Sequence, residues 1–293
     1  MTSRPTPTLP ASVTVGEGGG GLPMVRVRGI AGDADVYLQG AQVSSWNPLG
    51  EAPVLWMSEE SRFERGTPIR GGIPICFPWF GAHPTGVQHG WARTSEWTLT
   101  AAAEEGDDVR ITLALSDSEH TRASAWPHRF EARLEVVVGA TLRLSLAVTN
   151  PSEATVAFEE ALHSYLAVSD VRSLAVTGLE TLPFVEGDTR GVQPREPLRI
   201  DGPITRVFTG TDPRTVVGDA DRSIVVTSAQ SANTVVWNPW SSQAATMADL
   251  GDTEWSTMLC VETGNVGTTR VRLPAGATHE LVTTIAAGAP TVY

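Results

Sequence analysis

The sequence predicts an all-β fold, a large antiparallel β-sandwich with very little helix. Three observations lead there. Apolar residues recur at every second position in short runs from one end of the chain to the other. Gly and Pro, 28 and 20 of the 293 residues, fall between those runs as turn signals. Apolar spacing of three and four, the mark of an amphipathic helix, is nearly missing.

The strands follow in order. Val25 and Val27, then Val36 and Leu38, mark two short ones. Val109, Ile111, Leu113 and Leu115 alternate with Arg110, Thr112, Ala114 and Ser116, the pattern of a strand with one buried face. Leu134, Val136 and Val138, then Leu142, Leu144, Leu146 and Val148, form a pair joined at Gly139-Ala140 as a hairpin. Further runs lie at Thr155–Glu159, Ser173–Gly178, Ser223–Ser228, Thr234–Asn238, Met258–Glu262, Thr269–Leu273 and Leu281–Ala286. One or two helical turns are expected only at Ser241–Leu250 and in the turn at Ser58–Phe63. Residues 1–23, rich in Pro, Thr and Gly and ending in Gly18-Gly19-Gly20-Gly21, read as a flexible leader. No Gly-Lys-Ser/Thr follows to make those glycines a phosphate cradle. Residues 24–293 contain no composition break and no fixed-period repeat, and read as one domain.

Composition narrows the chemistry. The net charge is -12, and all 21 basic residues are Arg. Without Lys there is no Schiff-base nucleophile and no P-loop lysine, and an acidic chain is a poor nonspecific nucleic-acid binder. No stretch approaches the roughly 18 apolar residues of a membrane span, and no basic start with an apolar run marks a signal peptide. The expected protein is soluble, cytoplasmic and monomeric, with no nucleic-acid or membrane partner. Cys76 and Cys260 lack a CxxC partner and are expected as buried free thiols. The six His residues show no metal-ligand spacing, so no metal site is expected. There is no G-x-S-x-G, H-E-x-x-H or helix-opening G-x-G-x-x-G.

Two regions carry the candidate chemistry. Thr67–Arg93 gathers Arg70, Gln88, His89 and Arg93 with Trp79 and Trp91 among prolines and glycines. Such a segment forms a long ordered loop, and its arginine forks suit an anion or a sugar, or else tie the loop to acidic neighbours. The second region is the strand-borne pair His163 and Glu262. A lone strand histidine is more often a satisfied or half-exposed residue than a catalyst. Glu262 ends the apolar run Met258-Leu259-Cys260-Val261, where a buried carboxylate is costly unless paired. Glu159 and Glu160 lie on opposite faces of their strand, so at most one joins His163. Trp237-Asn238-Pro239-Trp240 is the densest of the nine-Trp set, and indole faces serve equally in cores and under sugars.

R-G-G-I-P-x-x-F-P-x-F-G at Arg70–Gly81 and Q-H-G-x-A-R at Gln88–Arg93 resemble the hexose-6-phosphate mutarotase (glucose-6-phosphate 1-epimerase) branch of the aldose 1-epimerase superfamily. Further matches are G-A-Q-V-x-S-W at Gly40–Trp46, L-W-M-S at Leu55–Ser58, A-L-H-S-Y-L around His163, V-W-N-P-W at Val236–Trp240, M-A-D-L at Met247–Leu250 and C-V-E-T-G-N-V at Cys260–Val266. The resemblance implies a galactose-mutarotase-like β-supersandwich and a cofactor-independent interconversion of α and β anomers of a phosphorylated aldohexose. It makes His163 and Glu262 the catalytic pair and Arg70, Gln88 and Arg93 the phosphate contacts, with His89 beside them in the same motif; His89 and, by indole stacking, Trp237 are expected as further substrate contacts. In one place the chain departs from the pattern. An acidic residue that usually binds sugar hydroxyls is replaced by Thr205; either Asp201, four residues earlier, takes over through a shifted loop or the hydroxyl contact is lost. The G-H-V ending is G-N-V, at Asn265.

The chemistry implied is a base that takes the anomeric hydroxyl proton and an acid that protonates the ring oxygen. The roles reverse on closure after rotation about C1–C2. Glu262 is expected as base and protonated His163 as acid, their attraction raising the His pKa and lowering the Glu pKa. Screening confines the repulsion between a -12 chain and a phosphate dianion to about 8 Å. The alternatives are an aldose 1-epimerase acting on unphosphorylated sugars, a non-catalytic carbohydrate-binding protein, and a glycoside hydrolase pairing Glu262 with Glu159 or Asp249.

Overall fold

Every named strand in the computed structural model, which describes residues 7–84, 86–210 and 214–290, pairs antiparallel to its neighbours. A four-stranded meander, Val13–Glu17, Pro23–Arg28, Gly32–Tyr37 and Gln42–Pro48, opens the chain. Two eight-stranded sheets follow. One runs through Ala175–Thr177, Arg214–Asp219, Arg222–Ala229, Thr278–Gly288, Leu142–Thr149, Glu131–Val138, Asp108–Ser116 and Thr98–Glu105. The other is centred on Ile204–Thr209, Asn233–Asn238, Met258–Asn265 and Glu160–Leu162, with Tyr165–Ala167 also paired to Met258–Asn265. Only Glu119–Arg122 and Trp240–Ala244 are α-helical among the described residues, so the predicted all-β class is observed.

The alternation drives the layering. In Asp108–Ser116 the side chains of Val109, Ile111 and Leu113 are buried while Arg110 and Thr112 are half-exposed. Leu144, Leu146, Val226 and Ile285 of the first large sheet share one buried cluster with Val236, Leu259 and Val261 of the second. Each such side chain withdrawn from water contributes about 1.5–3 kcal/mol. The meander adds Val25, Val27, Val36, Val43 and Trp46 to the same core. Thr263 Oγ1 reaches Thr283 Oγ1 across the two large sheets at 3.1 Å.

The flexible leader expected over residues 1–23 is not observed in its described part. Val13–Glu17 pairs with Pro23–Arg28, and Leu22 is buried with Met24, Tyr37 and Ile69. The Gly-rich composition hid a Val13/Val15 alternation, of which only Val13 is buried. Residues 1–6 lie outside the described residues. The helix expected at Ser241–Leu250 starts one residue earlier and runs over Trp240–Ala244, and Ser58–Phe63 holds a turn at residues 59–60 and no helix. Cys76 and Cys260 are buried free thiols. No helix among the described residues is long and apolar enough to cross a membrane.

Candidate active site

Strand Met258–Asn265 is the spine of the site and is buried along its whole length. Leu259 and Val261 face the main core, so Cys260 and Glu262 face the opposite way. On one flank Val235 lies opposite Glu262, Trp237 opposite Cys260, and Thr205 continues the row opposite Trp237. On the other flank the register runs Leu162 to Thr263 and Tyr165 to Cys260, which sets His163 opposite Glu262. The His163 N–H donates to the Pro74 carbonyl at 3.0 Å, and its imidazole stands with Nε2 3.4 Å from Glu262 Oε1.

A cavity of about 490 Å³ opens over this pair. His163, Glu262, Val235, Trp237 and Thr205 line it from the sheet. Arg70, Phe80, Gln88 and His89 line it from the long loop, and Gln243, Thr246 and Met247 from the short helix and the turn after it. Glu159 anchors the loop: its Oε2 accepts the Phe80 N–H at 2.8 Å and its Oε1 the Gly267 N–H at 2.7 Å. His89 takes a positive φ of 61°, and Gly90 beside it has φ 71° with the Phe77 carbonyl 2.0 Å from where a Cβ would sit. Only Gly allows the chain to cross there. The crossing aims His89 inward, where its Nδ1 accepts the Gly81 N–H at 3.1 Å. Burial, then Arg93 and Arg70, push His89 down to about 3, so it is a neutral ring whose Nε2 carries the proton.

The two arginines of the loop have different surroundings. Arg70 lines the cavity; its Nε and Nη2 grip Asp249 at 3.0–3.2 Å and its Nη1 donates to the Tyr165 hydroxyl at 2.9 Å. A guanidinium has five N–H donors, so N–H groups on Nη1 and Nη2 remain for a ligand. Arg93 is 8% exposed, is not in the cavity lining, and donates from Nη2 to the Gln88 carbonyl at 2.8 Å. Tyr165 links Arg70 to the pair, since its ring stacks on His163 with centroids 4.7 Å apart and planes 10° apart.

The sequence-based electrostatics need correcting. Burial pushes His163 well below 6.5, and His89, Arg70 and Arg93 push it the same way. Burial holds the Glu262 carboxyl well above 4.5. The side chains are 6% and 1% exposed. Desolvation, which a sequence does not display, outweighs the mutual attraction. Because one shift lowers and the other raises, the pair as a unit keeps one transferable proton, written either as neutral His163 with protonated Glu262 or as the ion pair.

Of the expected site residues, the fold brings Arg70, Gln88, His89, His163, Trp237 and Glu262 to one cavity. It does not bring Asp201, which is exposed ahead of strand Ile204–Thr209 and outside the lining, whereas Thr205 lines it. Among the described residues Glu262 is the one carboxylate in the lining, and Asp249 and Glu159 are bound to Arg70 and to backbone N–H groups. That leaves no facing pair of carboxylates for glycoside hydrolysis among the described residues. Sequence reasoning missed Gln243 and Thr246, exposed polar residues with no pattern to single them out. It also missed the roles of Asp249 and Tyr165, which only their contacts with Arg70 disclose.

The comparisons with known proteins converge. The aldose 1-epimerase family profile matches residues 25–286. The chain is 36% identical over 247 residues, 81% of each chain, to an Escherichia coli K12 protein named "Putative glucose-6-phosphate 1-epimerase". It is 33% identical over 257 residues to one of the same name from Cenchrus ciliaris, covering 83% of this chain and 78% of that one. The crystal structure of a "putative mutarotase (YeaD)" from Salmonella typhimurium superposes with a TM-score of 0.89 at 32% identity, over 98% of this chain and 97% of that one. With a β-sandwich fold and a sugar-sized cavity already described, these matches establish that the chain belongs to the aldose 1-epimerase family, isomerases that act at the anomeric carbon of aldoses.

Proposed function

We propose that the chain interconverts the α and β anomers of a hexose 6-phosphate, with Glu262 as base and His163 as acid. The observation that carries this reading is the 3.4 Å separation of His163 Nε2 and Glu262 Oε1 beside an arginine-bearing cavity. The anomeric hydroxyl and the ring oxygen are attached to the same carbon, so an acid and a base a hydrogen bond apart address both at once. Glu262 takes the hydroxyl proton while His163 gives one to the ring oxygen; the C1–O5 bond breaks, the aldehyde rotates, and the reverse transfers close the ring. The reaction moves only protons and is redox-neutral. Arg70 receives the phosphate on its free N–H groups, with Gln88 beside it on the same wall.

The phosphate also acts on the pair. Arg70 is among the charges that disfavour an imidazolium at His163. A dianion on Arg70 offsets that charge and moves the shared proton from Glu262 to His163, the state in which carboxylate and imidazolium are ready to act. The names of the E. coli and Cenchrus relatives support the phosphorylated substrate. A second reading, turnover of unphosphorylated aldoses, draws support from the Asp249 clamp on Arg70 and from the position of Arg93 behind the wall.

Anomer exchange of glucose 6-phosphate and of glucose, followed by NMR, tests the proposal. Faster exchange of the phosphosugar is expected, with kcat lowered about 10²–10⁴-fold in both His163→Ala and Glu262→Gln and KM far less changed. Equal acceleration of both sugars would favour the second reading. Wild-type turnover in either variant would remove that residue from the mechanism.

A further inference from the structure

We propose that His163, Cys260 and Glu262 form a binding site for a borderline-soft divalent cation of the Zn²⁺ class, whose occupancy shuts the enzyme off. One donor atom from each, an imidazole nitrogen, the thiol sulfur and a carboxylate oxygen, lie within 4.8 Å of one another, and all three residues are buried. Cys260 and Glu262 are alternate residues on one face of the spine strand, and His163 stands opposite Glu262 in the two-residue break between Glu160–Leu162 and Tyr165–Ala167, both paired to that strand. Cys260 and Glu262 are therefore held by the sheet ladder, and His163 by the paired strands on either side of it and by its N–H bond to the Pro74 carbonyl at 3.0 Å.

The donor set selects the ion. Imidazole with thiolate suits Zn²⁺ or Cd²⁺ and not the hard cations that take oxygen ligands. Three protein ligands beside an open cavity leave the fourth tetrahedral position to water. Zn–N and Zn–S bonds of about 2.0–2.3 Å require the donors to draw in by about an ångström at most, within the reach of side-chain rotation.

The charge also balances. Without metal the trio is neutral overall: a thiol, and a His–Glu pair sharing one proton. Loading a divalent ion expels the thiol proton and the shared proton to solvent and leaves a thiolate, a carboxylate and a neutral imidazole. The trio is again neutral, so Arg70 and Arg93 nearby meet no added charge. The ion occupies the lone pairs that the acid and base use, so metal and turnover exclude each other. That last step rests on the proposed function; binding itself does not.

The test uses the whole chain, stripped with EDTA and titrated with Cd²⁺ and Zn²⁺. Expected are one equivalent of Cd²⁺ per chain with a cadmium–thiolate charge-transfer band, mutarotase activity lost with the same midpoint, and full recovery on chelation. Cys260→Ala removes the band and weakens binding about tenfold or more while keeping metal-free turnover. Cys260→Ser serves if the alanine variant does not fold, and Cys76→Ser keeps the band. A band that survives in both Cys260 variants, or wild-type protein that shows none, overturns the site. A Cys260-dependent band without loss of activity leaves the site standing and overturns the catalytic roles of His163 and Glu262.

Discussion

His163 Nε2 lies 3.4 Å from Glu262 Oε1, and burial drives the two groups toward neutrality from opposite sides. A pair of this kind titrates as a unit, with one proton held over a span of pH and activity lost when it gains a second or gives up the first. The second proton goes on His163, which is pushed below 6.5 in the free enzyme, so the acid limb of kcat/KM falls below 6.5. The alkaline limb follows Glu262, held above 4.5, so activity outlasts the ordinary carboxylate range. A kcat/KM–pH profile measured with glucose, which brings no titrating phosphate of its own, checks this. An acid limb at 6.5 or higher would mean that the imidazolium is the resting form.

Arg70 and Arg93 are expected to fail differently. Arg70 offers N–H groups to the cavity, so Arg70→Ala raises KM for glucose 6-phosphate about 10–100-fold, the loss of one charge-assisted contact, and leaves the KM for glucose nearly unchanged. Arg93 supports the Gln88 carbonyl from behind, so Arg93→Ala destabilises the fold by about 1–3 kcal/mol and affects both sugars alike. Steady-state kinetics on the two sugars, with melting curves, separate the cases. A phosphosugar-selective KM effect at Arg93 would place that side chain in the cavity.

If the sugar phosphate turns on the pair by offsetting Arg70, an anion supplied separately does the same. Inorganic phosphite is expected to raise kcat for free glucose about tenfold, the equivalent of one pKa unit in the proton balance of the pair. Arg70→Ala abolishes the effect, since the anion then has no seat. Phosphite that only competes with glucose 6-phosphate, without stimulating glucose turnover, would reduce Arg70 to a binding group.

How much of this was legible follows from the physics of each signal. Val109–Leu115 and Leu134–Val148 announced themselves because one face is buried and the other wet. Thr98–Glu105, rich in Ala, and the hairpin Pro183–Glu186 with Thr189–Val192, largely exposed, carry no such contrast and went unread. His163 and Glu262 stood out by motif, but their meeting depends on which strands pair, and nothing local specifies that. Arg70 and Arg93 sit in one continuous motif, and only the fold puts one in the wall and the other behind it. The direction of the pair's pKa shifts was misjudged because charge is written in a sequence and desolvation is not.

A second His–carboxylate contact lies away from the cavity and contributes stability. His279 Nε2 is 2.8 Å from Glu160 Oε1, which also accepts from Asn265 Nδ2 at 3.0 Å; Glu160 is fully buried and His279 19% exposed. Burial lowers the His279 pKa, but the hydrogen bond and charge of Glu160, with Glu280, outweigh it and raise the value above 6.5. A raised folded pKa gives stability that is complete below the unfolded value and is lost as pH rises through the folded one. His279→Ala leaves Glu160 buried without its cation and is expected to cost about 3 kcal/mol near neutral pH, the low end for a broken buried pair. His279→Gln recovers part by restoring a donor. Because His163 and His89 are depressed and pull stability the other way in acid, the informative quantity is the difference between wild type and variant. Denaturant melts at about pH 6 and about pH 8 should show that difference shrinking as pH rises; a gap that widens instead would mean that His279 acts as a neutral packing group.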